Sequence, residues 1–214
     1  MVVRRAGDAM LIVEFEAVID PLVNQYVIDL GGRLEGHAFP GVRDIVPGYC
    51  SLGVHFDPLR TDLAALEQAI ADEGRVAAAV AALPAARVHE IPVEYGGAAG
   101  PDLEAVAAFA GCSTNEVVER HAAAIYRVYT LGFVPGFAYL GGVDRRIAAP
   151  RRRVPRERVP AGSVGIAGEQ TGVYPLATPG GWQIIGRTSE VLFDAARTPA
   201  NLLAPGDAVR FVPR

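Results

Sequence analysis

The sequence of 214 residues contains no lysine; all 20 of its basic residues are arginine. That absence excludes Schiff-base chemistry, a pyridoxal-phosphate anchor and a Walker A loop, each of which needs a lysine amine. Anions must therefore be met by guanidinium forks, backbone N–H groups or helix N-termini. Cysteine is almost as scarce. Cys50 and Cys112 stand alone, with no CxxC and no Cys/His spacing, so the sequence predicts two reduced, buried thiols rather than a disulfide or a metal site. A long apolar run is missing too. The N-terminal MVVRRAGDAMLIVEF carries Asp8 and Glu14, which rules out a signal peptide or a membrane span in that segment and leads to a cytoplasmic reading.

What is present is half apolar and slightly acidic, with a formal charge of −4. The charge is uneven, because seven arginines and only two acids lie between Asp144 and Arg158. Two prolines, Pro150 and Pro155, break that cluster, which favours loop charges, a partner contact or a small-anion site over a duplex-binding helix.

The first 90 residues alternate between strand and helix patterns. AMLIVEF, residues 9 to 15, reads as a half-buried strand, and Asp20-Pro21 supplies an N-cap with proline at the first helical position. The helical stripe runs to Leu34, with Gly31-Gly32 expected to fray its end. Val42 to Val46 and Tyr49 to Phe56 form a predicted hairpin around Pro47-Gly48. An Ala-rich helix follows from Asp62 to Leu83, with Val80 on its apolar face, and then a strand over Arg87 to Val93, in which Pro92 favours an edge. The order βαββαβ predicts a ferredoxin-like arrangement.

The second half differs. A helix begins after Gly100-Pro101, and another opens at Ser113 with Glu116 at capping-box spacing. Ten glycines and six prolines between Leu131 and Gly181 exclude long helices. The short apolar pieces between them, SVGIAG, QIIGR and VLFD, predict a β-barrel or sandwich. The chain thus reads as α+β, with a ferredoxin-like domain over 1–87 and a β-barrel domain over 88–214.

Several places can carry chemistry. His121, near the end of the Ser113 helix, is either a structural, dipole-stabilised group or a general acid/base at the barrel mouth. LGFVPGFAYLGG holds Pro135, Gly136 and Phe137 in a turn that packs aromatics or lets a ligand approach the backbone. Gly168, Glu169, Gln170 and Thr171 offer a tight turn, a carboxylate, an amide and a hydroxyl, suited to a compact amide or carboxylate or to nothing more than a polar loop tip. Trp182 and Arg187 lie five positions apart on one predicted strand and hence on opposite faces; Arg187 facing a pocket would bind a carboxylate or phosphate. Ser163 lacks the GxSxG elbow, and neither cysteine neighbours a histidine.

GFVPGFAYLGG, PRRRVPRERVPAGSVGIAGEQTGVYPLATPGGWQIIGRT and LLAPGDAVRFVP together resemble the allophanate hydrolase subunit 1 family, also called KipI-like, whose bacterial members include 5-oxoprolinase subunits. GDAMLIVEF, PGVRDIVPGYCSLGVHFDP, IPVEYGGAAGPDL and the His121 helix follow the family's order, so the resemblance spans nearly the whole chain. It implies a ferredoxin-like domain followed by a cyclophilin-like barrel. It also implies ATP-dependent opening of 5-oxoproline to L-glutamate, with a KipA-like partner and a third oxoprolinase subunit. ATP with Mg2+ is then a co-substrate, bound with the partner's help; no tightly bound cofactor and no protein-bound metal are expected. The motifs place His121, Pro135, Gly136, Phe137, Arg156, Gln170, Tyr174 and Arg187 around the implied site. In that picture His121, Gln170 and Arg187 are catalytic, and the other five, with Gly168, Glu169 and Thr171, contact substrate. Inhibition of a sensor histidine kinase, and a place in urea carboxylation or allophanate hydrolysis, are the alternatives within the same family.

Overall fold

The computed structural model describes residues 1–79 and 83–214, so Val80 lies outside the described residues. The chain divides into two compact units, Met1–Ala85 and Ala86–Arg214. Among the described residues no helix is long and apolar enough to cross a membrane.

The first unit runs β1 (Val2–Arg5), β2 (Met10–Glu14), α1 (Pro21–Gly36), β3 (Val42–Pro47), β4 (Ser51–Phe56) and α2 (Leu63–Ala79). Asp20 starts α1 by accepting the N–H groups of Leu22 and Val23, with Pro21 at the first turn as its fixed φ favours. The helix does not fray at Gly31-Gly32 but continues to Gly36. Gly31 is buried, and a Cβ there would lie 3.2 Å from Leu52 Cδ1, so its lack of a side chain lets the helix approach the sheet. The sheet order is β1-β2-β4-β3, all antiparallel. Its core joins Leu11, Val13, Leu30, Leu52, Leu66 and Ile70. This is a ferredoxin-like unit with one correction: its outer position beside β2 is held by β1, not by the strand expected over Arg87 to Val93.

That strand, β5 (Val88–Tyr95), belongs to the second unit, which continues with α3 (Leu103–Ala110), α4 (Thr114–Ala123), β6 (Tyr126–Leu131), β7 (Ala138–Gly141), β8 (Arg156–Val159) and β9 (Ser163–Ala167). It ends with β10 (Gln170–Val173), β11 (Thr178–Gly180), β12 (Gln183–Arg187) and β13 (Ala208–Pro213). Seven strands close a barrel in the order β10-β7-β6-β13-β5-β12-β9, while β8 and β11 form a separate two-stranded ribbon. β5 pairs in parallel with β13 from Val88–Ala208 to Val93–Pro213. On its other side β12 reaches only Glu94 and Tyr95, so Pro92 has edge-like surroundings there, which is where a residue without an N–H is tolerated. VLFD contributes only an isolated bridge, Phe193 to Asn201. The α4 capping box forms as its spacing requires. Cys50 and Cys112 are free but only half-buried, less than the full burial expected.

Alternation along the barrel strands sends Ile91, Val93, Val128, Leu140, Val164, Ile166, Val173 and Phe211 inward. The opposite face of one side carries a second, aromatic cluster containing Phe137, Tyr174, Trp182 and Ile184.

Candidate functional site

His121 reaches the barrel interior from the last turn of α4 and is fully buried, stacked on Phe211 at 4.6 Å between ring centroids. Its Nε2 lies 2.9 Å from the Thr171 hydroxyl and its Nδ1 lies 2.7 Å from the Tyr95 hydroxyl. The Thr171 hydroxyl donates its own proton to the carbonyl of Gly165 at 2.9 Å. A hydroxyl has one proton to give, so Thr171 accepts from Nε2–H, and Nδ1 is left to accept from Tyr95. Burial pushes the imidazole pKa down to about 3, and it pushes the Tyr95 hydroxyl up. His121 is therefore a neutral ring with both nitrogens engaged inside the barrel, tying α4 to β10. Thr171 is fully buried with it.

The outer aromatic cluster grows from two glycines. Gly165 and Gly172 pair across β9 and β10. A Cβ on Gly172 would meet Phe137 Cζ and Trp182 Cζ3 at 3.3 Å each, and one on Gly165 would meet Trp182 Cβ at 3.1 Å, so the bare strands let these rings lie against the sheet. Phe137 is edge-on to Tyr139, Tyr174 and Trp182 at 4.8, 5.4 and 5.4 Å. Together with Phe133 and Arg151 they wall a pocket of about 240 Å3. Burial raises the Tyr174 hydroxyl pKa, opposed by the adjacent Trp182 amide and by the charges of Arg151 and Arg156. The Arg151 guanidinium stands 5.9 Å over the Trp182 ring. Phe133 has φ +71, the left-handed region that a bulky L-residue enters only when its surroundings hold it there.

The segment behind this pocket is fastened by Asp102, which is 4% exposed. Its Oδ1 accepts from Arg152 Nη1 at 3.0 Å and Arg156 Nη2 at 2.7 Å, while Oδ2 accepts from the backbone N–H of Ile184 at 2.7 Å. Arg156 Nη1 is buried without a hydrogen-bond partner.

The residues marked in the sequence thus fall into separate groups. Phe137 and Tyr174 line the aromatic pocket, with Arg156 close to Tyr174. Pro135 and Gly136 line an adjoining depression of about 400 Å3 that shares Phe133. Gly168 and Glu169 form the β9–β10 turn, where Glu169 pairs with Arg145 at 3.1 Å. Gln170 and Arg187 do not come together. Gln170 pairs with Ala167 at one end of β9 and Arg187 with Ser163 at the other, about 13 Å apart at about 3.3 Å per residue. Exposed Arg187 instead lines a cleft of about 550 Å3 with Pro92, Glu94, Thr188, Ser189 and Arg214. A further cleft of about 650 Å3 beside Tyr95 and Asn115 holds none of the marked residues. Asp102, Phe133, Tyr139 and Arg151 were not singled out from the sequence. Phe133 and Tyr139 share the motif of Phe137 and could have been found there, whereas nothing local distinguishes Asp102 or Arg151.

Among the described residues no group of three or more His, Cys, Asp or Glu side chains can hold a metal ion. With lysine also absent, any phosphate bound by this chain would be met by arginine side chains or backbone N–H groups.

The family described as "Carboxyltransferase domain, subdomain C and D" matches residues 1–203. The chain is 47% identical over 211 residues to the B subunit of 5-oxoprolinase from Escherichia coli O157:H7, covering 97% of this chain and 94% of that protein. It is 43% identical over 227 residues to the protein of the same name in Bacillus subtilis (strain 168), covering 98% and 91%. The crystal structure of TTHA0988 superposes with a TM-score of 0.85 at 37% identity, over 100% of this chain but 40% of that one.

Proposed function

The chain belongs to the carboxyltransferase-domain family, subdomain C and D, and from that premise we propose that it is the B-type subunit of an ATP-dependent 5-oxoprolinase, helping to open 5-oxoproline to L-glutamate. The observation that carries this reading is the near full-length similarity to proteins of that name at 43% and 47% identity. In it, ATP is a co-substrate: its γ-phosphoryl group passes to the lactam oxygen with release of ADP, water adds to the ring carbon and the C–N bond breaks to free the amine, and a second water hydrolyses the resulting acyl phosphate to the carboxylate and phosphate. This chain offers neither a lysine nor, among the described residues, a cluster of metal ligands for ATP. A KipA-like subunit and a third oxoprolinase subunit therefore supply the phosphate-binding groups, and this chain's part is to bind and orient the ring.

For that part the aromatic pocket is the best-suited surface, because a small ring needs apolar walls and few polar groups. Gln170 is not among the residues that line the pocket, but by alternation it occupies the same face of β10 as Gly172, against which the pocket's rings lie, and it is the side chain we assign to the lactam amide. His121 acts through Thr171 rather than on substrate, holding β10 in register. The test is glutamate release from 5-oxoproline with ATP, measured for this chain alone and with both presumed partners. Release is expected only from the complete set. A complete set of folded subunits that releases none refutes the reading.

A further inference from the structure

We infer that the pocket walled by Phe133, Phe137, Tyr139, Tyr174 and Trp182 is a subsite for a small ring carboxylate, and that Arg151 binds the carboxylate. The identification of that ring as 5-oxoproline rests on the function proposed above; the chemistry of the subsite does not. Four of the seven arginines between Arg145 and Arg158 are consumed by carboxylates: Arg145 by Glu169, Arg146 by Asp144, and Arg152 and Arg156 by Asp102. Arg151 makes no ion pair among the described residues and is the one of the seven that lines the pocket. Its guanidinium carbon lies 5.9 Å from the Trp182 ring centroid, within cation–π reach, and its N–H donors are not taken by any carboxylate among the described residues.

The rest of the pocket is consistent with one anionic ring and little else. Its lining contains no Asp or Glu, so a cationic ligand would have no partner and Arg151 has no internal competitor. A volume of about 240 Å3 accommodates a single substituted ring. Edge-to-face aromatic walls present flat and edge surfaces at fixed angles, suited to a near-planar ring. The neighbouring Arg152 and Arg156 are pinned to Asp102, so Arg151 is presented from an anchored segment rather than a free loop.

Trp182 is the chain's single tryptophan, so its fluorescence reports ligand entry without any activity assay. The intact chain is titrated with 5-oxoproline, with cyclopentanecarboxylate, and with 2-pyrrolidinone, which lacks the carboxylate. Both carboxylates are expected to change the emission saturably, and Arg151→Gln is expected to weaken both roughly tenfold or more, as loss of a charge-assisted bond requires. Arg151→Lys should restore only part of the affinity, and the weaker response to 2-pyrrolidinone should not depend on Arg151. The inference is overturned if neither carboxylate perturbs Trp182, or if Arg151→Gln binds them as tightly as the unaltered chain. If cyclopentanecarboxylate binds through Arg151 and 5-oxoproline does not, the subsite stands and the oxoprolinase reading falls. If the assembled subunits open 5-oxoproline with a KM unchanged by Arg151→Gln, the subsite falls and that reading stands.

Discussion

Replacing Asp102 by alanine removes one carboxylate and leaves three donors without an acceptor. The Ile184 N–H lies in the buried part of β12, and an orphaned buried donor costs about 1–3 kcal/mol. The Arg156 side chain is 24% exposed, so it loses a short charged bond but swings partly into water, and we assign it about 1–2 kcal/mol of the 3–5 typical of a fully buried pair. The Arg152 side chain is 37% exposed and its share is discounted to the surface range of about 0–1 kcal/mol. The total is about 2–6 kcal/mol, which at a urea slope of about 1.5–2 kcal/mol per molar moves the unfolding midpoint down by about 1–4 M. Trp182 lies in the second unit, so urea titration followed by its fluorescence reads the unfolding of that unit. Asp102→Asn, which retains an acceptor for Ile184 but loses the charge, should fall between the two. A midpoint for Asp102→Ala equivalent to less than about 1 kcal/mol of destabilisation would refute the view that this carboxylate fastens the arginine segment to the barrel.

Three further outcomes follow from the same geometry. The folded pKa of His121 is about 3, against an ordinary value of 6.5, so the unfolded chain takes up the proton first: its contribution is fully present above about pH 6.5 and is lost as pH falls toward 3. Between pH 7 and 5 this amounts to roughly 2 kcal/mol, a loss that unfolding titrations should show in the unaltered chain and not in His121→Gln. Gly172→Ala places a Cβ 2.9 Å from the Ala138 carbonyl oxygen as well as against Phe137 and Trp182, and should cost about 1–3 kcal/mol in the same urea assay with altered Trp182 emission. Arg187→Ala should leave carboxylate binding detected at Trp182 within about twofold, because the Arg187 cleft shares no lining residue with the aromatic pocket; a tenfold loss would mean the two are coupled.

The features that were legible in the sequence are those written within a few residues. Asp20-Pro21, the Pro47-Gly48 hairpin and the Ser113–Glu116 capping box each satisfy a local hydrogen-bonding need, and each forms. Strand character over residues 88 to 93 was legible for the same reason, but its sheet was not. Its partner is β13, 120 residues along from Val88 to Ala208, and alternating hydrophobicity says that a strand has a buried face without saying which strand lies beside it. Gly31 shows the converse error: a glycine near a helix end reads as fraying until the Leu52 side chain it accommodates is seen.

The same distinction sorts the site. Phe137 and Tyr174 lie in motifs whose glycines and aromatics act on the adjacent strand, so the pattern pointed to them. Gln170 and Arg187 look close in sequence, but a hairpin and a third strand intervene, and antiparallel register sends them to opposite ends of β9. Arg151 was hidden by number, one of seven arginines in a short basic stretch, and it takes the ion pairs of four neighbours together with its own place in the pocket lining to single it out. The absence of lysine acquires its meaning here. Arginine is planar and prefers fork-to-carboxylate and ring-stacking geometry, so a chain restricted to it is suited to holding a small carboxylate against an aromatic wall. Point-charge neutralisation of a triphosphate is a different task, and among the described residues this chain has neither the lysine nor the metal-ligand cluster for it. The function proposed above then divides the labour: this chain's guanidinium and aromatic wall hold the ring, and cations from elsewhere in the assembly meet the phosphate.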